Sequence, residues 1–120
     1  MTIVTRGLTR TAIAGASTWQ YCKIGTGSTA ASVGQTDLVG SVFTKVVGVA
    51  TQIDNVNTLV SIFSGSEGNT TDLIKEFAFG DSSTFTYMLL RSVSSTNTWT
   101  AFTKDSTVFA LISAQITYST

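Results

Sequence analysis

Hydrophobic and polar positions alternate along most of the chain after residue 41, the pattern of β-strands with one buried face. The alternation is imperfect, but it recurs in segments separated by short polar stretches rich in Gly, Ser and Asn. It predicts strands at 42–50, 57–63, 73–79, 84–91, 97–103 and 107–118. Short strands joined by polar turns at this spacing indicate an antiparallel β-sandwich or a barrel-like module.

The first third of the chain has a less regular pattern. Residues 7–16 place Leu8, Ala12 and Ile13 on one side of a short helix, and 18–24 predicts a further strand. Residues 25–34 are small and predict a loop. The whole pattern predicts one all-β domain over residues 1–120, in which residues 1–17 form a short helix or an irregular arm.

The last predicted strand is apolar on both faces over residues 108–112. The chain contains no Pro, and Lys and Arg are scarce, although Pro and charge are the usual protection of an exposed strand edge. Either partner subunits cover this strand, or it is central and buried within one subunit. On the first interpretation the candidate interface residues are Val108, Phe109, Leu111, Ile112, Trp99 and Tyr118.

The charge balance of the chain argues against two classes of partner, nucleic acid and membranes. Seven basic residues balance seven acidic ones, so the chain has no long-range field for phosphates or anionic lipids, and neither nucleic acid nor a membrane is an expected partner. The single Cys22 excludes an internal disulfide. The first 17 residues lack the apolar run of a signal peptide, so we expect synthesis in the cytoplasm.

Candidate catalytic chemistry is sparse. The chain has no His, the commonest general base and metal ligand, so we expect no enzymatic activity, metal or cofactor. Most carboxylates lie in predicted loops, where solvation explains them. Glu76 is the exception because it lies within a predicted strand, and we interpret it as an edge or outward residue paired with Lys75, Lys104 or Arg91.

Two further patterns have both a functional and a structural interpretation. Residues 25–30, G-T-G-S-T-A, fit a dinucleotide-binding fingerprint, but no helical period follows to hold a pyrophosphate. A tight, close-packed loop between two strands is the better interpretation. Some aromatic residues could stack on a sugar, yet such residues more often fill a core or an interface; they are Trp19, Tyr21, Tyr87, Trp99 and Tyr118.

Several short motifs, in order along the chain, resemble small virion proteins of tailed phages and prophages. They are I-G-T-G-S-T-A-A at 24–31 with Q-T-D-L at 35–38, L-I-K-E-F-A-F at 73–79, M-L-L-R at 88–91, F-T-K-D at 102–105 and a closing strand at 107–118. The F-A-F at 77–79 departs from the pattern, which often has Gly before an aliphatic–Phe pair. The resemblance implies a particle component without enzymatic activity.

Together these observations favour a virion structural protein of a tailed virus. It would form a homo-oligomer, a trimer or larger, on the particle exterior, as capsid decoration or as a tail appendage. Its other partners would be virion proteins such as the major capsid or tail proteins. The alternative is a carbohydrate- or receptor-binding β-module on a tail tip, which would need Trp19 or Trp99 exposed beside polar loops.

Overall fold

The computed structural model of the chain describes residues 5–119, with side chains described from Gly7 onward. These residues form one helix and nine strands in the order α1 Thr5–Thr18, β1 Tyr21–Gly25, β2 Ser41–Val46, β3 Val49–Ile53, β4 Val56–Phe63, β5 Leu73–Ile74, β6 Glu76–Gly80, β7 Met88–Val93, β8 Phe102–Thr103 and β9 Ala110–Thr117. Residues 1–4, part of the predicted arm or helix, lie outside the described range.

Two antiparallel sheets form the body of the molecule. The first sheet has the strand order β2-β1-β6-β7, the second has the order β3-β4-β9, and β5 and β8 form a small third pair. All strand pairs described are antiparallel. The predicted all-β, sandwich-like fold with an N-terminal helix is therefore confirmed.

The core lies between the inner faces of the first and second sheets. Cys22, Ile24 and Phe79 from the first sheet meet Leu59 and Phe63 from the second, and all five are fully buried. This arrangement is what period-two alternation predicts, because alternate residues of each strand point to the same face. Burial raises the pKa of the Cys22 thiol, which therefore stays protonated at neutral pH.

The predicted continuous strand at 42–50 was wrong. The chain forms β2 in the first sheet, turns at Val47 and Gly48, and continues as β3 in the second sheet. The amide of Val47 donates to the carbonyl of Gln20 (2.8 Å) and the amide of Gly48 donates to the carbonyl of Val60 (2.9 Å). The two amides thus bond to the residue that precedes β1 and to β4, and this crossing joins the two layers.

Other predicted boundaries also changed. The helix runs to Thr18, so β1 begins later than the predicted strand at 18–24, and the segment 73–79 divides into β5 and β6 at Lys75. The strand predicted at 84–91 starts only at Met88, because Phe85 adopts φ 53° and turns inward against Gly80. Of the segment 97–103, only Phe102 and Thr103 form a strand.

Helix α1 packs on the inner face of the second sheet through a polar contact. Asn57 of β4 is fully buried and donates from Nδ2 to the carbonyl of Ala12 (2.6 Å), while its Oδ1 accepts from the hydroxyl of Tyr118 (2.8 Å). Gly15 faces both side chains, and a Cβ there would collide with the Tyr118 hydroxyl and with Asn57 Oδ1. The glycine therefore lets the helix approach the sheet.

Replacing Gly15 tests this docking. Ala is the better helix former by about 1 kcal/mol, so Gly15→Ala would stabilise an undocked helix. We expect the opposite, a lower melting temperature in thermal denaturation followed by circular dichroism, because the added methyl displaces Asn57 and Tyr118. Gly7→Ala, at an exposed position of the same helix, is the control and should leave the melting temperature unchanged or raise it. Equal effects of the two changes would contradict the docking.

Candidate functional site

The outer face of the first sheet is covered by the loop that joins β1 to β2, residues 26–40. Glu76 of β6 lies beneath this loop and is fully buried. Its carboxylate accepts hydrogen bonds from the amides of Gly27 (3.2 Å), Gly40 (2.7 Å) and Val39 (3.3 Å). One side chain of the sheet therefore holds both ends of the loop.

Arg91 of β7 completes this buried centre. Its Nε and Nη2 lie 2.7 and 2.6 Å from Glu76 Oε2, and its Nη1 donates to the carbonyl of Thr29 (2.7 Å) and to Gln35 Oε1 (3.2 Å). A buried charge pair is tolerated best where further hydrogen bonds satisfy both partners. The loop does this for the carboxylate and for Arg91 Nη1, whereas the buried Nη2 has the ionic contact with Glu76 and no hydrogen bond. Four hydrogen bonds and the ionic contact from Arg91 Nη2 occupy the Glu76 carboxylate, an arrangement suited to anchoring the loop.

Sequence reasoning named Arg91 among three candidate partners of Glu76, and Arg91 is the partner. The predicted edge position was wrong, because β6 is a central strand; the side chain does face the outer side of the sheet, but the loop buries it there. Lys104 binds Asn69 Oδ1 instead (2.9 Å). The loop is longer than expected, yet it is close-packed at Gly27, where a Cβ would lie 2.7 Å from Val39 Cβ and 2.8 Å from Glu76 Oε1.

The ionic contacts outside this centre are more exposed. Lys23 pairs with Asp37 (2.9 Å) and lies 4.3 Å from the centre of the Phe85 ring. The Lys45 ammonium and the amide of Ser64 lower the pKa of Glu67 to about 2. Hydrogen bonds from Thr107 lower the pKa of Asp105. No group of three potential metal ligands lies together among residues 5–119, and no described helix is long and apolar enough to span a membrane.

The outer face of the second sheet is open to solvent and differs in chemistry from the covered one. We call it the uncharged face. It consists of the residues that alternate with the buried ones: Val49, Thr51, Ile53, Val56, Thr58, Val60, Ile62, Leu111, Ser113, Gln115 and Thr117. No residue of β3, β4 or β9 is charged.

Large apolar side chains are exposed on this face. The exposed fractions are 54% for Val49, 73% for Ile53, 48% for Ile62 and 62% for Leu111. Phe109, which precedes β9 and shares the outward parity of Leu111, is 72% exposed. Contiguous exposed apolar surface without charge is typical of an interaction site rather than of a solvated surface.

An aromatic groove lies beside β9 and adjoins the uncharged face. Its volume is about 370 Å³, and it is lined by Phe77, Trp99, Thr100, Phe102, Leu111, Ile112 and Ser113. The Trp99 ring packs against Phe77 (5.4 Å between ring centres) and Phe102 (6.5 Å). The indole N–H donates to Ser92 Oγ (2.9 Å), so the polar edge of Trp99 is bonded within the subunit.

The predicted interface residues divide between the two sides of the second sheet. Phe109 and Leu111 point outward, Trp99 lines the groove, and Val108 is half-buried. Ile112 is buried in the core, and Tyr118 is half-buried against Asn57. β9 lies at the edge of its sheet, so the interpretation of 107–118 as a central buried strand was wrong.

Sequence reasoning missed the part of the uncharged face that comes from β3 and β4. Val49, Ile53 and Ile62 were not candidates, although the uncharged run from residue 46 to 53 was a usable signal. The aromatic residues do not form one platform: Trp99 lines the groove, while Trp19 and Tyr118 line a separate cavity of about 210 Å³ beside helix α1. Tyr21 is half-buried, and Tyr87 is 70% exposed.

Comparison with known proteins identifies no relative of this chain. No family model matches the chain. No curated protein matches it either. The likeness to virion proteins of tailed phages therefore stays a prediction from the short motifs.

Replacing Glu76 tests the anchoring of the loop. Glu76→Gln keeps the shape of the side chain but leaves the Arg91 charge without a buried partner, so we expect the free energy of unfolding in urea to fall by about 3–5 kcal/mol. Glu67→Gln, which removes a partly exposed ion pair with Lys45, is the control and should cost much less. Similar losses for the two variants would contradict an anchoring role for Glu76.

Proposed function

We propose that this chain is a non-enzymatic structural subunit of a symmetric assembly on the exterior of a tailed-virus particle. In such a particle it would serve as capsid decoration or as part of a tail appendage. The observation that carries the structural part is the uncharged face, which leaves apolar side chains open to solvent on one side of the second sheet. The viral part rests on the motif resemblance alone.

The size of the uncharged face favours contacts that are repeated many times. Two strands of eight residues and one of five cover on the order of 300 Å² in projection. Each partner in a standard stable complex buries about 800 Å². A single contact through this face would therefore bury a modest area. Repeating the contact around a symmetric shell or ring would supply the remaining stability of the assembly.

The chemistry of the face favours another protein as the partner. The cores of protein interfaces are depleted in charged residues and enriched in apolar and aromatic ones, as this face and groove are. Nucleic acid and anionic lipid both need basic residues, and β3, β4 and β9 contain none. We therefore infer that the partners are copies of this chain and other virion proteins.

The aromatic groove favours a second candidate function, carbohydrate or receptor binding on a tail tip. Trp99 and Phe102 offer ring faces, and the hydroxyls of Thr100 and Ser113 lie at the same groove. Sugar recognition needs several polar groups that fix the hydroxyls of the ring, and this lining supplies two. The structural role is the better supported of the two because the apolar surface extends well beyond the groove.

The location of the protein tests the proposal. We expect antibody raised against the purified chain, coupled to gold, to label intact particles in electron micrographs. Label spread over the head would identify a decoration protein, and label confined to the tail would identify an appendage and strengthen the receptor-binding alternative. Particles from a strain that lacks the coding sequence are the control. Absence of label from all particles would overturn the viral proposal.

A further inference from the structure

Phe109 is an exposed aromatic side chain beside an open aromatic groove. It is 72% exposed, and Leu111, two residues further along, lines the groove. Two residues of a strand span about 6.6 Å, so the backbone of Phe109 lies close to the end of the groove that Leu111 lines. Within the described chain, the ring lies near the turn at Gly65, where a Cβ would be 3.8 Å from it.

The chemistry of the groove fits an aromatic side chain. Its walls are the rings of Phe77, Trp99 and Phe102 and the aliphatic side chain of Leu111. The Trp99 N–H is already bonded to Ser92, so it does not select a polar ligand. A groove of about 370 Å³ has room for a phenyl ring, which would meet the walls in tilted or edge-to-face contacts.

We propose that two copies of the chain join reciprocally, with Phe109 of each copy inserted into the aromatic groove of the other. This inference rests on the self-assembly contained in the proposed function and names the contact. Because Phe109 and the groove lie close together at β9, a two-fold axis between two copies would satisfy both at once, as in isologous interfaces. Two different neighbours would compete for the same small patch.

A second copy fits this patch better than a different partner does. β9 and β4 carry no charge, so two copies meet without like-charge repulsion, and a charged partner would lose its hydration without finding a counter-charge. Two inserted rings, each 72% exposed in the free chain, and the groove walls they cover remove on the order of 500 Å² from water. Leu111 and the adjoining uncharged face bring the total toward the roughly 1,200–2,000 Å² of specific interfaces.

A reciprocal contact uses both Phe109 side chains and both grooves, so it stops at a dimer. An assembly of three or more subunits, which the sequence predicts, would then need a second contact elsewhere on the chain. In a shell, the Phe109 contact would join neighbouring subunits across local two-fold axes.

The fluorescence of Trp99 can report on the contact. In a Trp19→Phe background it is the sole Trp, and it lines the groove. We expect sedimentation velocity to show a monomer–dimer equilibrium. Acrylamide quenching of Trp99 should fall as the fraction of dimer rises with protein concentration. Phe109→Ala should weaken dimerisation at least about tenfold and abolish the change in quenching. Tyr87→Ala, which removes a similarly exposed aromatic outside the groove, should change neither.

Cross-linking tests the same contact by its geometry, since one of the two Phe109 insertions remains in a mixed dimer of the Phe109→Cys and Thr100→Cys proteins. Phe109→Cys and Thr100→Cys proteins, mixed and treated with a short bismaleimide, should give a covalent heterodimer, whereas Phe109→Cys mixed with Tyr87→Cys should not. Cys22 is buried and leaves the introduced thiols as the accessible ones. A dimer that survives Phe109→Ala with unchanged Trp99 quenching would overturn the inference.

The two proposals fail in different ways. A chain that labels particles but stays monomeric at all concentrations, or dimerises without cross-linking between positions 109 and 100, overturns the Phe109 contact and leaves the virion role. A chain that forms the Phe109 contact but labels no particle overturns the virion role and leaves the contact.

Discussion

The carboxylate of Glu76 is the constraint on which the arrangement of the first sheet depends. It binds Arg91 and three backbone amides at the two ends of the 26–40 loop, and so fixes that loop over the sheet. The loop in turn supplies the hydrogen bonds that make a buried charge pair tolerable, through the carbonyl of Thr29 and the side chain of Gln35. Neither the loop nor the ion pair would be stable in this position without the other.

This centre gives the molecule two unlike outer surfaces. The first sheet keeps the Glu76–Arg91 pair beneath a loop, whereas the strands of the second sheet have no charge and expose Val49, Ile53 and Leu111. Covering one sheet completes the subunit on that side, and the open sheet leaves surface for contact with other molecules. We propose that the open side, including Phe109 and the aromatic groove, is the assembly surface.

The sequence predicted what depends on local alternation and missed what depends on tertiary contacts. β4 and β9 were predicted nearly to their ends because each has a regular inner face, and the helix was predicted because three apolar residues share a side. The break at Val47 and Gly48 was missed because the composition stays apolar while the chain changes sheets. Arg91 was among the candidate partners of Glu76, but its burial depends on a loop that approaches only after folding. At the candidate site, Phe109, Leu111 and Trp99 were found from the last strand and its aromatics, whereas the contribution of β3 required the strand pairing.

Hydroxyl-radical footprinting read by mass spectrometry can decide whether the open side of the second sheet is the assembly surface, since it compares side-chain exposure in the dilute chain and in its assembled form. We expect oxidation of Phe109, Leu111 and Trp99 to fall on assembly, while oxidation of Tyr87, which is exposed elsewhere, stays constant. Unchanged oxidation of Phe109 and Leu111 in the assembled form, with protection confined to other surfaces, would contradict it.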